Sequence, residues 1–220
     1  MKTKSTTAEL LMVAPWLLAI LYVASIWNQL PANMPIHYDA SGNVNGWESK
    51  NVVGGAGLLL AVLLYLLFRY LPNLDPRGRL QSANYQKLRF VMMLFLAAIL
   101  VTIFYLAIHQ ESSKSLLRPE LALISLLIAA IGNYLTSIKP NFFVGIRTPW
   151  TLSSDAVWRK THQLGGRLMV AGGLVGAVLA LIVPMPYTVW AVVGIILIAS
   201  LIPVVYSYVY FQREKNHQFN

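Results

Sequence analysis

The sequence predicts an all-α integral membrane protein, a bundle of six transmembrane helices with both termini in the cytoplasm. Three observations lead there. Hydrophobic residues make up 57% of the 220 and charged residues only 11%, against about 25% charged in soluble domains. Six apolar runs are long enough to cross about 30 Å of hydrocarbon at about 1.5 Å per residue. Lys and Arg are unevenly divided between the linkers. A short extracellular cap loop and a cytoplasmic amphipathic segment complete the expected layout.

The runs fall at 10–30, 52–71, 88–108, 121–138, 164–183 and 188–211. The first follows Lys2 and Lys4 as a signal peptide would. It outruns a typical signal core and continues into NQLPANMP without a small-x-small cleavage site, so it is expected to stay as a helix. Pro15 and Pro203 are expected to kink the first and last spans.

One set of linkers and termini carries Lys2, Lys4, Arg69, Arg77, Arg79, Lys87, Arg89, Lys139, Arg147, Arg159, Lys160, Arg167, Arg213 and Lys215. The other set carries Lys50, Lys114 and Arg118. That asymmetry predicts which side is cytoplasmic. The net charge of +9 then reflects topology and attraction to anionic membrane lipids. No aromatic-basic module for nucleic acid is visible. The chain has no cysteine, which excludes disulfides and thiolate metal sites.

No span carries an ionisable residue near its centre, which argues against a proton-coupled carrier. No repeat relates the first three spans to the last three, so an inverted-repeat transporter lacks support. Asn133, Thr136 and Ser137, with Ser125 on a similar face, predict interhelical hydrogen bonds. Gly165–Gly166 is expected to open the fifth span. Gly172 and Gly176 form a GxxxG pair suited to close packing within the chain.

The first outer loop reads LPANMPIHYDASGNVNGWESK. Pro35 enforces extended backbone, IHY alternates, and Gly42 in DASGNVNG can take positive φ. Trp47 stands where an interfacial aromatic belongs. His37, Asp39 and Glu48 are oxygen and nitrogen donors, and His-x-Asp places two on one face of a strand. Their spacing is too loose to predict a metal. The expectation is a structured cap in which Asp39 closes an Asx-turn, with Pro35, His37, Asp39, Gly42 and Trp47 as its candidate functional residues.

The most composed stretch is NFFVGIRTPWTLSSDAVWRKTHQLGGR, residues 141–167. Its candidate functional residues are Asn141, Gly145, Arg147, Thr148, Pro149, Trp150, Thr151, Trp158 and His162. Gly145 breaks the run, and Pro149 holds Thr148 out of the helical region. Ser153 or Ser154 is expected to cap a helix with Asp155 in its first turn, placing Trp158 and His162 on one face. Arg147 can pair with a phosphate or carboxylate and stack on Trp150. An interfacial lipid anchor would use the same residue types, but it would need neither the proline nor a fixed order.

GIRTPWTLSSDAVW, followed by a basic stretch and a Gly-rich span, resembles the signature of the SdpI family of bacterial multispanning immunity proteins. MPIHYDASGNVNGW followed by a lysine is similar to the N-terminal domain of unknown function often paired with it. The resemblance divides the chain into an N-terminal membrane region, 1–111, holding the outer loop 30–51, and an SdpI-like region, 112–220, holding the 141–167 motif. It implies a non-enzymatic protein of the bacterial cell membrane, without cofactor, that gives resistance to a secreted peptide toxin. It further implies a cytoplasmic autorepressor held at the membrane while toxin is present. Two alternatives compete. One is a membrane enzyme on phosphorylated lipid or envelope precursors, with Asp155 and His162 as its nearest acid–base candidates. The other is a flippase, disfavoured by the uncharged spans.

Overall fold

The computed structural model describes residues 6–80, 82–109 and 113–218, with side chains described for 9–80, 82–109 and 117–216. Lys2, Lys4 and the side chain of Lys114 lie outside the described part. Helix α1 covers Thr6–Ile26 and ends in a 3-10 turn, Trp27–Gln29. Strands β1 (Asn33–Tyr38) and β2 (Val44–Ser49) follow. The remaining helices are α2 (Lys50–Leu74), α3 (Ala83–Ile108), α4 (Ser113–Leu135), α5 (Pro149–Ser153), α6 (Asp155–Ile182) and α7 (Tyr187–Gln218).

Six of these helices are long and apolar enough to cross a membrane, and they correspond one to one to the six runs. The chain is an all-α multispanning protein with one small sheet among the described residues. Each crossing helix begins before its apolar run. The fifth is continuous from Asp155, so Gly165–Gly166 lies inside it instead of opening it. Hydropathy marks where lipid contact ends, whereas the hydrogen-bonded ladder continues until a cap stops it. Those caps are Ser49 on Val52 N, Ser82 on Tyr85 N and Ser154 on Val157 N.

The outer cap is a β-hairpin with Pro35 opposite Trp47 and His37 opposite Gly46. Asp39 closes its turn as expected. Its Oδ1 accepts from the amides of Ser41 and Asn43, each at 2.9 Å, and Gly42 has φ 82°. Met34 is fully buried and packs with Leu30, Phe104 and Ala107, seating the hairpin on the end of α3. Lys50 donates to the carbonyls of Trp27 and Leu30 at 3.1 and 3.4 Å, closing the exposed end of α1.

Helices α4 and α6 make the closest crossing, built on missing side chains. A Cβ on Gly173 would lie 2.5 Å from Ser125 O, and one on Gly166 2.6 Å from Gly132 O. Gly172 and Gly176 do not act as one GxxxG surface. Gly172 faces Ile195 on α7, while Gly176 faces Ser125 on α4. The expected interhelical hydrogen bonds are also replaced. Ser125, Thr136 and Ser137 bond carbonyls of their own helix, at Leu121, Asn133 and Tyr134. A hydroxyl in hydrocarbon reaches the carbonyl three or four residues back with no partner helix needed.

Gly173→Ala is expected to cost about 1–3 kcal/mol through overpacking against backbone. Gly194→Ala, where a Cβ meets nothing within 4 Å, should be neutral or slightly stabilising. Thermal unfolding of both variants in detergent checks the contrast.

Candidate functional site

Between α4 and α5 the chain runs without repeating hydrogen bonds, so its amides and carbonyls need side-chain partners. Asn141 is completely buried. Its Oδ1 accepts from the amides of Phe143 and Val144 at 2.8 and 2.7 Å. Its Nδ2 donates to the carbonyls of Lys139 and Val144, each at 2.9 Å. Gly145 then turns with φ 121°, a conformation side chains disfavour. A Cβ there would also collide with His162 Nε2.

His162 is 1% exposed. The Ile146 amide donates to its Nε2 at 3.0 Å, so that nitrogen carries no proton. The proton therefore sits on Nδ1, which donates to Trp158 O at 2.8 Å. The imidazole stacks on Trp158 with centroids 4.0 Å apart and planes at 17°. Trp158 Nε1 in turn donates to Ile138 O at 2.9 Å. Two residues on successive turns of α6 thus hold the segment near both its ends.

Thr148 is extended, at φ −113° and ψ 162°, as Pro149 requires. It forms a capping box with Thr151: Thr148 Oγ1 accepts from the Thr151 amide at 3.2 Å, and Thr151 Oγ1 accepts from the Thr148 amide at 2.9 Å. Threonine takes the place glutamate or glutamine usually fills in this motif. Thr151 Oγ1 also donates to Ile146 O at 2.9 Å. Pro149 occupies the first helical turn, where its missing N–H costs nothing. Ser154 ends α5 and caps α6.

Helix α7 meets this arrangement from one side. Thr148 Oγ1 lies 3.1 Å from Ser207 Oγ, and Ser154 Oγ donates to Glu214 Oε2 at 2.8 Å. Trp150 packs on Tyr208, with centroids 5.0 Å apart. The expected stacking of Arg147 on Trp150 is therefore replaced. Exposed Arg147 instead donates from Nη1 to Phe142 O at 2.7 Å.

From the other side comes the α2–α3 loop, in residues that sequence reasoning left as a plain linker. Buried Asp75 accepts from the Arg79 amide at 2.9 Å and from the Phe142 amide at 3.4 Å. Arg77 donates to Leu152 O at 2.7 Å and lies 4.8 Å over the Phe142 ring. Arg79 pairs with Asp155 at 2.7 Å. The signal was available in DPRGR, which combines turn chemistry with two guanidiniums. Its partner, 76 residues away, was not.

The outer candidates Pro35, His37, Asp39, Gly42 and Trp47 sit in the hairpin and do not join the 141–167 residues. His37 Nδ1 bonds Asn45 Oδ1, and Glu48 accepts from the Ser49 amide at 2.7 Å. Among the described residues no group of three or more His, Cys, Asp or Glu could hold a metal ion.

Residues 137–207 match the SdpI/YfhL protein family, and residues 15–64 match a domain of unknown function, DUF1648. The resemblance carried by both motifs is therefore borne out. A stretch of 82 residues is 29% identical to the immunity protein SdpI of Bacillus subtilis (strain 168). That stretch covers 37% of this chain and 39% of the relative, so the match spans about two fifths of the relative's length. No solved structure matches. Six apolar helices and this likeness make the chain a multi-pass protein of the bacterial cell membrane.

Asn141→Ala removes the partners of two amides and two carbonyls in a closed site. It is expected to lower unfolding stability by about 2–4 kcal/mol, given about 1–3 kcal/mol for each unsatisfied buried group and partial relaxation. Protease cleavage within 139–148 should accelerate in parallel, and mass spectrometry of the fragments checks it.

Proposed function

We propose that this chain is a non-enzymatic membrane immunity protein that protects its cell from a secreted peptide toxin and also holds a cytoplasmic repressor at the membrane. The family match over 137–207, which contains the whole Thr148–His162 arrangement, carries the reading. The name of the Bacillus relative supports it.

The chemistry of the site points the same way. The two nearest acid–base candidates are committed elsewhere: Asp155 is paired with Arg79, and His162 has both ring nitrogens bonded to backbone. A general acid or base needs a free position facing substrate. Here the polar groups hold the loop in shape. The arrangement suits a surface of fixed form better than a reaction centre.

In this reading the Lys and Arg asymmetry puts the 141–167 segment in the cytoplasm and the hairpin outside. Toxin would meet the hairpin, where Ile36 and Trp47 are half exposed, and the outer ends of the spans. Repressor would meet the face around Arg147, Trp150 and Tyr208. Helix α3 touches both regions, packing on Met34 at one end and following the loop that grips Leu152 and Asp155 at the other. Toxin would bias one packing of the bundle over another.

Expression in a peptide-sensitive bacterium should raise survival under a peptide toxin of this family. Equal killing of expressing and empty cells would overturn the immunity reading. Arg147→Ala should reduce protection, read as a fall in survival under toxin, while membrane insertion stays unchanged. Full protection by the variant would return Arg147 to a loop-holding and lipid-anchoring role.

A further inference from the structure

At the hairpin end of α1 and α2 stands a lysine whose charge no acid meets. Lys50 is the first residue of α2. Its Nζ donates to the carbonyls of Trp27 and Leu30 at 3.1 and 3.4 Å and lies 5.4 Å from the centre of the Trp27 ring. Among the described residues it forms no ion pair with a carboxylate. Glu48, the nearest acid in sequence, accepts from the Ser49 amide instead. Two carbonyls and an aromatic face solvate an ammonium without cancelling its unit charge, and an ammonium has three protons to donate. The start of a helix adds partial positive charge of its own. One positive charge and one N–H are therefore left over.

The space beside Lys50 is lined with hydrocarbon. Trp27 and Gly54, the latter one turn on from Lys50, belong to a cavity of about 510 Å³ between α1, α2 and α3. A second cavity of about 310 Å³ continues it toward Tyr65, and the two share Trp16, Ile20, Leu58 and Ala61. Indole nitrogens aside, Asn28 brings the only polar side-chain atoms to the first cavity, next to the Trp27 carbonyl that Lys50 holds. From Asn28 back to Val13 the lining on α1 covers about 22 Å at 1.5 Å per residue. One leaflet is about 15 Å deep, so a whole acyl chain fits along the slot. The polar end is roofed: residues 27–32 and the base of the hairpin surround Lys50, whose own amide donates to Ala32 O at 2.9 Å.

We propose that this slot binds one long-chain fatty acid from the leaflet at the hairpin end. Its carboxylate lies against Lys50 and Asn28 and supplies the missing negative charge, and its chain runs past Trp16 toward Tyr65. A carboxylate is a small anionic head, and the slot is single. A phospholipid would have to leave its second chain outside and fit a glycerophosphate under the hairpin. The site is independent of the immunity reading and stands or falls separately from it.

The test uses the full chain in dodecyl maltoside, in alkaline buffer where the fatty acid is ionised. Dibromostearate should quench tryptophan fluorescence saturably, and Trp16→Phe should remove much of the quenched signal. The methyl ester of the same acid should need about fivefold higher concentration, the factor expected for one ammonium beside one anion. Oleate should displace the brominated acid, and oleyl alcohol at the same concentration should not. Gly55→Phe, placed in the slot where a Cβ meets open space, should abolish saturable quenching with the thermal midpoint unchanged. Lys50→Gln should erase the difference between acid and ester. Equal quenching by acid and ester in the unaltered protein, or saturable quenching that survives Gly55→Phe, overturns the proposal. Displacement by phosphatidylglycerol or by an apolar helical peptide at lower concentration than oleate gives the slot to that ligand and overturns it equally.

Discussion

A chain that leaves a helix at the edge of a bilayer carries bare amides and carbonyls into a region poor in water, and each must find a partner within the protein. Between α4 and α5 that constraint is met by Asn141, Thr151 and His162. The remaining features follow from their placement. His162 can accept from Ile146 only if Gly145 leaves room for the ring. The ring keeps its angle because Trp158 stacks beneath it and anchors to Ile138. Trp158 and His162 in turn require α6 to start early, at Asp155, well before its apolar run.

Helix α6 consequently serves two purposes along one length. Its first turns hold an irregular segment through polar side chains, and its middle approaches α4 and α7 through glycines. The two parts meet at Gly165, where a Cβ would lie 2.5 Å from Ile146 Cδ1 and 3.2 Å from Pro203 Cγ. A rigid helix carries the position of the loop directly into the packing of the spans. The charged groups at the helix ends add a second tier. Glu9 meets Arg69 and Arg89, drawing α1, α2 and α3 together on the side that holds the termini, and Asp155 meets Arg79, tying α6 to the α2–α3 loop.

What could be read from the sequence depended on short range. The six spans, the Ser154 cap, the extended Thr148 before Pro149 and the shared face of Trp158 and His162 follow from periodicity and local dihedral restriction. The Asp39 turn followed from side-chain reach. The grip of Arg77 on Leu152 and of Glu214 on Ser154 did not, because those partners lie 75 and 60 residues apart and nothing local announces them. The GxxxG pair does pack closely within the chain, but not as one surface, for a related reason. Gly172 and Gly176 are four apart, but each faces a different neighbour, and a helix sequence does not say how many neighbours it has. Ser125 and Thr136 had two equivalent ways to satisfy a hydroxyl, and the pattern of residues is the same for both.

The 141–167 segment borrows partners from the α2–α3 loop made before it and from α7 made after it, and this orders its biogenesis. When ribosome and translocon have delivered α1 to α6, the Asp75–Arg79 loop is already available to Leu152 and Asp155. Ser207 and Glu214 have yet to be made. The segment reaches its final form only when α7 is inserted, because Ser207 and Glu214 on that helix bond Thr148 and Ser154.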